Sequence, residues 1–239
     1  MVVLILAFLA SLLPSLALYF WMKRFKNDEA YRKNCRDAMI KGLLCVFPVL
    51  GLSALFALLK NLLFKNADPL IYAAVHTFIV LALAEEIAKY LAGRKIIDQA
   101  GDSVSWLDVI VFMGIVGIGF GLAEDIPYAI GASVPIMLVR GATVSHGVYG
   151  MICGYFLGKG FKAGKDPGMF SILVPLLYHG LYDFGLDDNV LALGEDMALL
   201  SVGLAFGELV LLIVFIVFFI KARKNEKYTA PLFRKTEQA

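Results

Sequence analysis

The sequence predicts an all-α fold, a polytopic transmembrane helical bundle. Three observations carry that prediction. The chain has 239 residues, 60% of them hydrophobic, where soluble domains usually have about 45–50%. Mean hydropathy is +0.78. Seven stretches come close to the roughly 20 mostly apolar residues that a spanning helix needs: 2–22, 39–59, 70–92, 106–128, 134–158, 169–186 and 197–220. No segment reads as a separate soluble domain, so a single transmembrane domain is expected over 1–239.

The first stretch has no basic residues before its apolar run, and its charges come after Met22. It therefore reads as a retained helix and not as a cleaved signal peptide. The second and seventh stretches are apolar almost throughout; in the seventh, Glu208 reads as a packing or hydrogen-bonded residue outside any site. The third, IYAAVHTFIVLALAEEIAKYLAG, places Glu85 and Lys89 at i,i+4 and Glu86 and Lys89 at i,i+3, so Lys89 can reach either carboxylate. His76 lies about 180° away from Glu85 on this helix, towards the outer end. In the fourth, Gly114, Gly117, Gly119 and Gly121 allow close helix approach. Glu124 follows Phe120 by four residues on the same face, and Pro127 is expected to break or kink the outer end. In the fifth, His146, Gly150, Gly154 and Gly158 recur every four residues and form a small-residue face that packs on other helices. Arg140 lies on another face, where it can pair with an acidic residue. The sixth ends with His179 and Asp183 at i,i+4, so the carboxylate can orient the imidazole.

The loops fix an orientation by the positive-inside rule. Segments 23–41, 93–105, 159–168 and the tail, which includes Arg234 and Lys235, hold 18 of the 22 basic residues. The opposite loops hold only Lys60 and Lys65, beside several carboxylates. An N-terminus outside and a C-terminus in the cytoplasm follow. Cys35, Cys45 and Cys153 show no CxxC or Cys/His spacing, which argues against a disulfide framework or a cysteine metal site.

Among the ionisable residues inside the spans, nine stand out as a group: Glu85, Glu86, Lys89, Glu124, Asp125, Arg140, His146, His179 and Asp183. A charge at mid-membrane costs roughly 2.5–3.5 kcal/mol on insertion scales, so such a cluster needs a function. At 1.5 Å rise per residue, Glu85, His146 and His179 fall within roughly 5 Å of the midplane, with Glu124 and Asp183 about 8–11 Å towards the outer side.

Glu85-Glu86-x-x-Lys89, Phe120-x-x-x-Glu124, His146 after an Arg140-bearing segment, and His179-x-x-x-Asp183 together resemble the PrsW family of intramembrane proteases, in order and spacing, over about residues 80–186. The pattern is also similar to that of the CAAX prenyl proteases. Those tend to have histidine where Glu124 stands, which favours the PrsW resemblance. Asp125 stands where asparagine would be expected. The resemblance implies peptide-bond hydrolysis in or at a bacterial cell membrane, with membrane-bound anti-sigma factors as substrates cut from the outer side. The HExxH, GxGD and rhomboid-type GxSG signatures of other intramembrane proteases are absent.

Two mechanisms are open. In one, Glu85 activates water, Lys89 holds Glu86, and His146 and His179 polarise the carbonyl or protonate the leaving amine, Asp183 orienting His179. In the other, a metal, zinc by its donor set, sits on His146, His179 and Glu124, with Glu85 as base. No compact helix motif preassembles the ligands, which tips the balance towards the metal-free version. The expected partners are a single-span or membrane-anchored protein substrate and the lipid bilayer, with no nucleic acid. The rival class is a proton-coupled transporter or channel that uses the same Glu and His residues as a relay. No inverted repeat supports it.

Overall fold

The computed structural model describes residues 2–131, 134–165 and 168–232, so Arg234 and Lys235 lie outside the described residues. These are helical nearly throughout, with one isolated antiparallel bridge among them, Ser105 to Pro231. The helices are α1 (Val2–Met22), α2 (Glu29–Leu63), α3 (Pro69–Ala74), which runs through a π-helical segment (Val75–Leu83) into α4 (Ala84–Ala100), α5 (Trp106–Gly131), α6 (Val134–Thr143), α7 (Ser145–Lys162), α8 (Gly168–Leu186), the short α9 (Asp188–Leu191), α10 (Glu195–Ala222) and the short α11 (Glu226–Thr229).

Among the described residues, six helical stretches are long and apolar enough to cross a membrane, from α1, α2, α3–α4, α5, α8 and α10. The predicted fifth span, 134–158, is not one helix. Val144 adopts the left-handed conformation, φ 50° and ψ 40°, and splits it into α6 and α7. The residue is β-branched, so its side chain resists this backbone, and nothing in its neighbourhood in the sequence announces the break. Pro127, by contrast, does not end its helix: α5 continues to Gly131. Within a bundle, neighbouring groups re-satisfy the backbone that a proline frees.

α5 is the axis. Its apolar window is 83% buried, against 17% for those of α2 and α10, whose apolar surfaces face outward as lipid-exposed helices do. Glycines bring its neighbours in. A Cβ on Gly150 would strike the Met113 carbonyl, one on Gly154 would lie 2.6 Å from Ile110 Cα, and one on Gly117 would strike the His146 carbonyl. The small face read from the sequence of α7 is thus the face laid against α5. On the other side, Gly42 of α2 and Gly119 of α5 pack backbone to backbone.

Polar contacts cluster at one end of the bundle. Lys26 Nζ lies 2.5 Å from Asp108 Oδ2, Lys41 donates to Gln99, and Lys162 donates to the Lys227 carbonyl. Ser105 and Asp108 exchange backbone and side-chain hydrogen bonds, a capping box that starts α5. All the described basic segments therefore meet at this end. Phe56, Phe64, Tyr72 and His76 stack together between α2 and α3 at the other. The three cysteines are free thiols.

Candidate active site

The site lies where α4, α5, α7 and α8 converge beside α5's glycine face. The π-helical segment leads directly into Ala84, Glu85 and Glu86. Such segments widen the turn and reset which side chains face inward. Both glutamates and Lys89 are almost wholly buried. Lys89 does not extend towards an interface: its Nζ lies 2.6 Å from Glu86 Oε1, 3.7 Å from Glu85 Oε2 and 3.0 Å from His146 Nδ1, and it sits 4.7 Å from the centre of the Phe120 ring.

His146 occupies the first turn of α7, directly after the Val144 break. Gly121 of α5 makes room for it, since a Cβ there would come within 3.2 Å of its Cδ2. An ammonium can only donate, so His146 Nδ1 accepts from Lys89 and Nε2 donates to Glu124 Oε2, at 2.6 Å. Arg140 Nη2 lies 2.8 Å from the same Glu124 oxygen, and its Nε lies 3.3 Å from Asp125 Oδ1. The arginine therefore has the acidic partners expected of it, and Asp125 belongs to that ion pair.

His179 of α8 stands edge-on to His146, with ring centres 5.1 Å apart. Its Nδ1 lies 2.9 Å from Glu86 Oε1 and its Nε2 lies 3.2 Å from Asp183 Oδ2. All six residues singled out in the sequence as catalytic, with Lys89, Phe120 and Arg140, thus fall in one connected cluster. His76 is not part of it: its ring packs beside those of Phe56 and Tyr72, with centres 5.5 and 5.6 Å away.

Glu85 Oε2 is the sole buried side-chain polar atom among the described residues that lacks a hydrogen-bond partner. His146 Nδ1 lies 3.8 Å from it and His179 Nε2 lies 3.7 Å from it. Glu85, His146 and His179 also form the group whose ligand atoms all lie within 4.8 Å of one another, as a bound metal ion requires. Glu86 and Glu124 hold the outward nitrogens of the two imidazoles, as carboxylates do behind metal-bound histidines. The residues therefore fit a metal. The sequence alone suggests Glu124 beside the two histidines; the geometric group contains Glu85 instead. Three separate helices supply the donors, which is why no compact ligand motif is visible in the sequence.

Three further residues border the cluster. Tyr149 stacks on His179 with ring centres 4.8 Å apart, and its hydroxyl donates to Glu208. Ser145 Oγ donates to the other Glu208 oxygen at 2.5 Å. Ser145 and Tyr149 are i,i+4 on α7, and the signal that could have found them was Glu208 itself. A glutamate inside an apolar span needs donors.

A narrow pocket reaches the cluster past Glu124, Asp125, Arg140 and Asp183. The family described as PrsW family intramembrane metalloprotease matches residues 37–221. Three curated relatives bear the name Protease PrsW. The one from Clostridioides difficile (strain 630) is 29% identical over 74% of this chain and 77% of its own. The one from Shouchella clausii (strain KSM-K16) is 30% identical over 74% and 81%, and the one from Bacillus subtilis (strain 168) is 29% identical over 73% and 80%. No solved structure matches the chain. With its apolar spans and this match, the chain is a multi-pass bacterial membrane peptidase, and it belongs to the PrsW family of intramembrane metalloproteases.

Proposed function

We propose that this peptidase cuts single-span or membrane-anchored proteins within the bilayer, and that Glu85, Glu86, Glu124, His146, His179 and Asp183 carry the reaction. The substrate class implied by the family resemblance is a membrane-anchored anti-sigma factor. The observation that carries the reading is the unpartnered Glu85 Oε2 facing one nitrogen of each imidazole. A buried carboxylate oxygen without a donor costs several kcal/mol as an ion, on the order of the desolvation of one charged group. A cation offsets that cost.

Glu85, His146 Nδ1 and His179 Nε2 would hold a divalent metal, zinc by the donor set. Binding it requires Lys89 Nζ to leave the Nδ1 lone pair of His146 and His179 Nε2 to be deprotonated, since each nitrogen has a single lone pair. When bound, zinc supplies Lewis-acid polarisation of the scissile carbonyl and a nucleophilic water at neutral pH. The chain's own residues prepare that chemistry. Glu86 accepts from His179 Nδ1 and Glu124 accepts from His146 Nε2, which orients both rings with their other nitrogens turned towards Glu85. Lys89 offsets the charge of Glu86 and lies beside that of Glu85. Asp183 lines the pocket, so its carboxylate can take up a proton from a water and return it to the leaving amine. Arg140 holds Glu124 and Asp125 at the pocket wall.

A second reading has one observation in its favour. Lys89 Nζ already places a positive charge 3.7 Å from Glu85 Oε2 and within hydrogen-bonding distance of His146 Nδ1. In that version Glu85 is the base and no metal is needed. Metal analysis of the purified, active protein separates the two. Stoichiometric zinc, with activity lost to a chelator and restored by zinc, is the expected result. Full activity in metal-free, chelator-treated protein would establish the second reading instead.

A further inference from the structure

Glu208 stands out among the buried groups that this mechanism leaves unused. It is wholly buried in α10, a helix whose apolar window is otherwise only 17% buried. Placing a carboxylate there is costly unless donors satisfy it. Both its oxygens are taken by hydroxyls of α7: Ser145 Oγ on one and Tyr149 Oη on the other. Ser145 also shares a hydrogen bond of 2.7 Å with Thr143, the last residue of α6, so this carboxylate braces both sides of the Val144 break.

What hangs on that brace is the pair of imidazoles. His146 follows Ser145 directly, in a first turn that has no side-chain cap of its own. Glu208 lies at this helix N-terminus, where a negative charge is favoured by the exposed backbone N–H groups. The Tyr149 ring lies nearly parallel to His179, at 23°, and edge-on to His146, at 89°. A residue 59 positions from Tyr149 in the chain therefore sets the ring that forms one wall for both imidazoles.

We infer that Glu208 is a positioning residue of this peptidase, aligning His146 through the Ser145 hydroxyl and His179 through the Tyr149 ring. The inference rests on the reading of the two imidazoles as catalytic. It predicts that Glu208→Gln lowers kcat by ~10–100-fold, the effect usual for groups that orient metal-bound or reacting histidines, and leaves KM unchanged. Tyr149→Phe keeps the ring and removes the hydroxyl. The Glu208→Gln/Tyr149→Phe double variant should lose no more than the worse single variant, because both break one connection.

The chain has three histidines, which gives a readout independent of any substrate or metal. In protein labelled with 15N-histidine and held in lipid nanodiscs, Glu208→Gln should shift the imidazole signals of His146 and His179 and leave that of His76 in place. Tyr149→Phe should shift His179, and Ser145→Ala should shift His146. Unchanged His146 and His179 signals in folded Glu208→Gln protein would overturn the inference, as would equal shifts of all three histidines. Should Glu208→Gln fail to fold, an unmoved His179 in Tyr149→Phe overturns it equally. Selective shifts in a protein that cleaves no single-span reporter would keep the alignment and remove the proposed function, so the two failures are distinguishable.

Discussion

Glu85 and Glu86 are adjacent, equally buried and chemically identical, yet their surroundings differ. Glu86 is held by Lys89 and His179, whereas one oxygen of Glu85 has no donor. Substitution should separate them. Compared in chelator-treated protein, Glu85→Gln removes a buried charge that nothing directly satisfies, so the melting temperature should stay level or rise, while cleavage by zinc-supplied protein should be lost with the third ligand. Glu86→Gln breaks a buried ion pair from one side and should cost roughly 3–5 kcal/mol of stability besides the activity. Equal destabilisation by the two variants in a thermal unfolding assay would contradict this division. The members of the cluster were legible in the sequence because ionisable groups in apolar spans are conspicuous, and helical spacing alone paired Lys89 with its carboxylates and His179 with Asp183. The partner of Arg140 could not be read, since Glu124 and Asp125 meet it from another helix.

Between elements, the decisive contact is that of α5 with α7. Gly117 lets the His146 carbonyl approach α5, and Gly121 leaves room for its imidazole. Gly117→Ala should therefore destabilise by about 1–3 kcal/mol, as overpacking does, and should reduce cleavage with it. Gly51 of α2 has open space around its Cα. Gly51→Ala should leave both stability and cleavage within experimental error of wild type; a matching loss there would show that the glycine effect is generic and not a property of the α5–α7 contact. The glycine stripe was legible because its period of four marks one helix face. The Val144 break and the π-helical entry to Glu85 were not. Neither carries a local signature, and the tertiary contacts of Ser145 with Glu208 and of Phe78 with Gly180 lie far apart in the chain.

At the scale of the whole molecule, composition and periodicity sufficed for a helical membrane bundle, and the alternation of basic loops anticipated that their described ends gather on one side. Which side of the membrane that is follows from the positive-inside rule. A reporter fused after the C-terminus should accordingly be cytoplasmic, and a reporter inserted between Lys60 and Asp68 should be external; the opposite pattern would reverse the orientation. Glu124, Asp125, Asp183 and Arg140, which the predicted orientation puts on the outer side, line the pocket to the cluster, so the substrate segment is expected to enter from that side. The proposed function is hydrolysis of peptide bonds by this buried Glu and His cluster. Its most direct test is cleavage of a single-span reporter by the purified protein in nanodiscs, wild type beside folded Glu85→Gln. Wild type should give two discrete fragments and the variant none. Equal cleavage by both, or an intact reporter with wild type while the protein dissipates a proton gradient in liposomes, would contradict it.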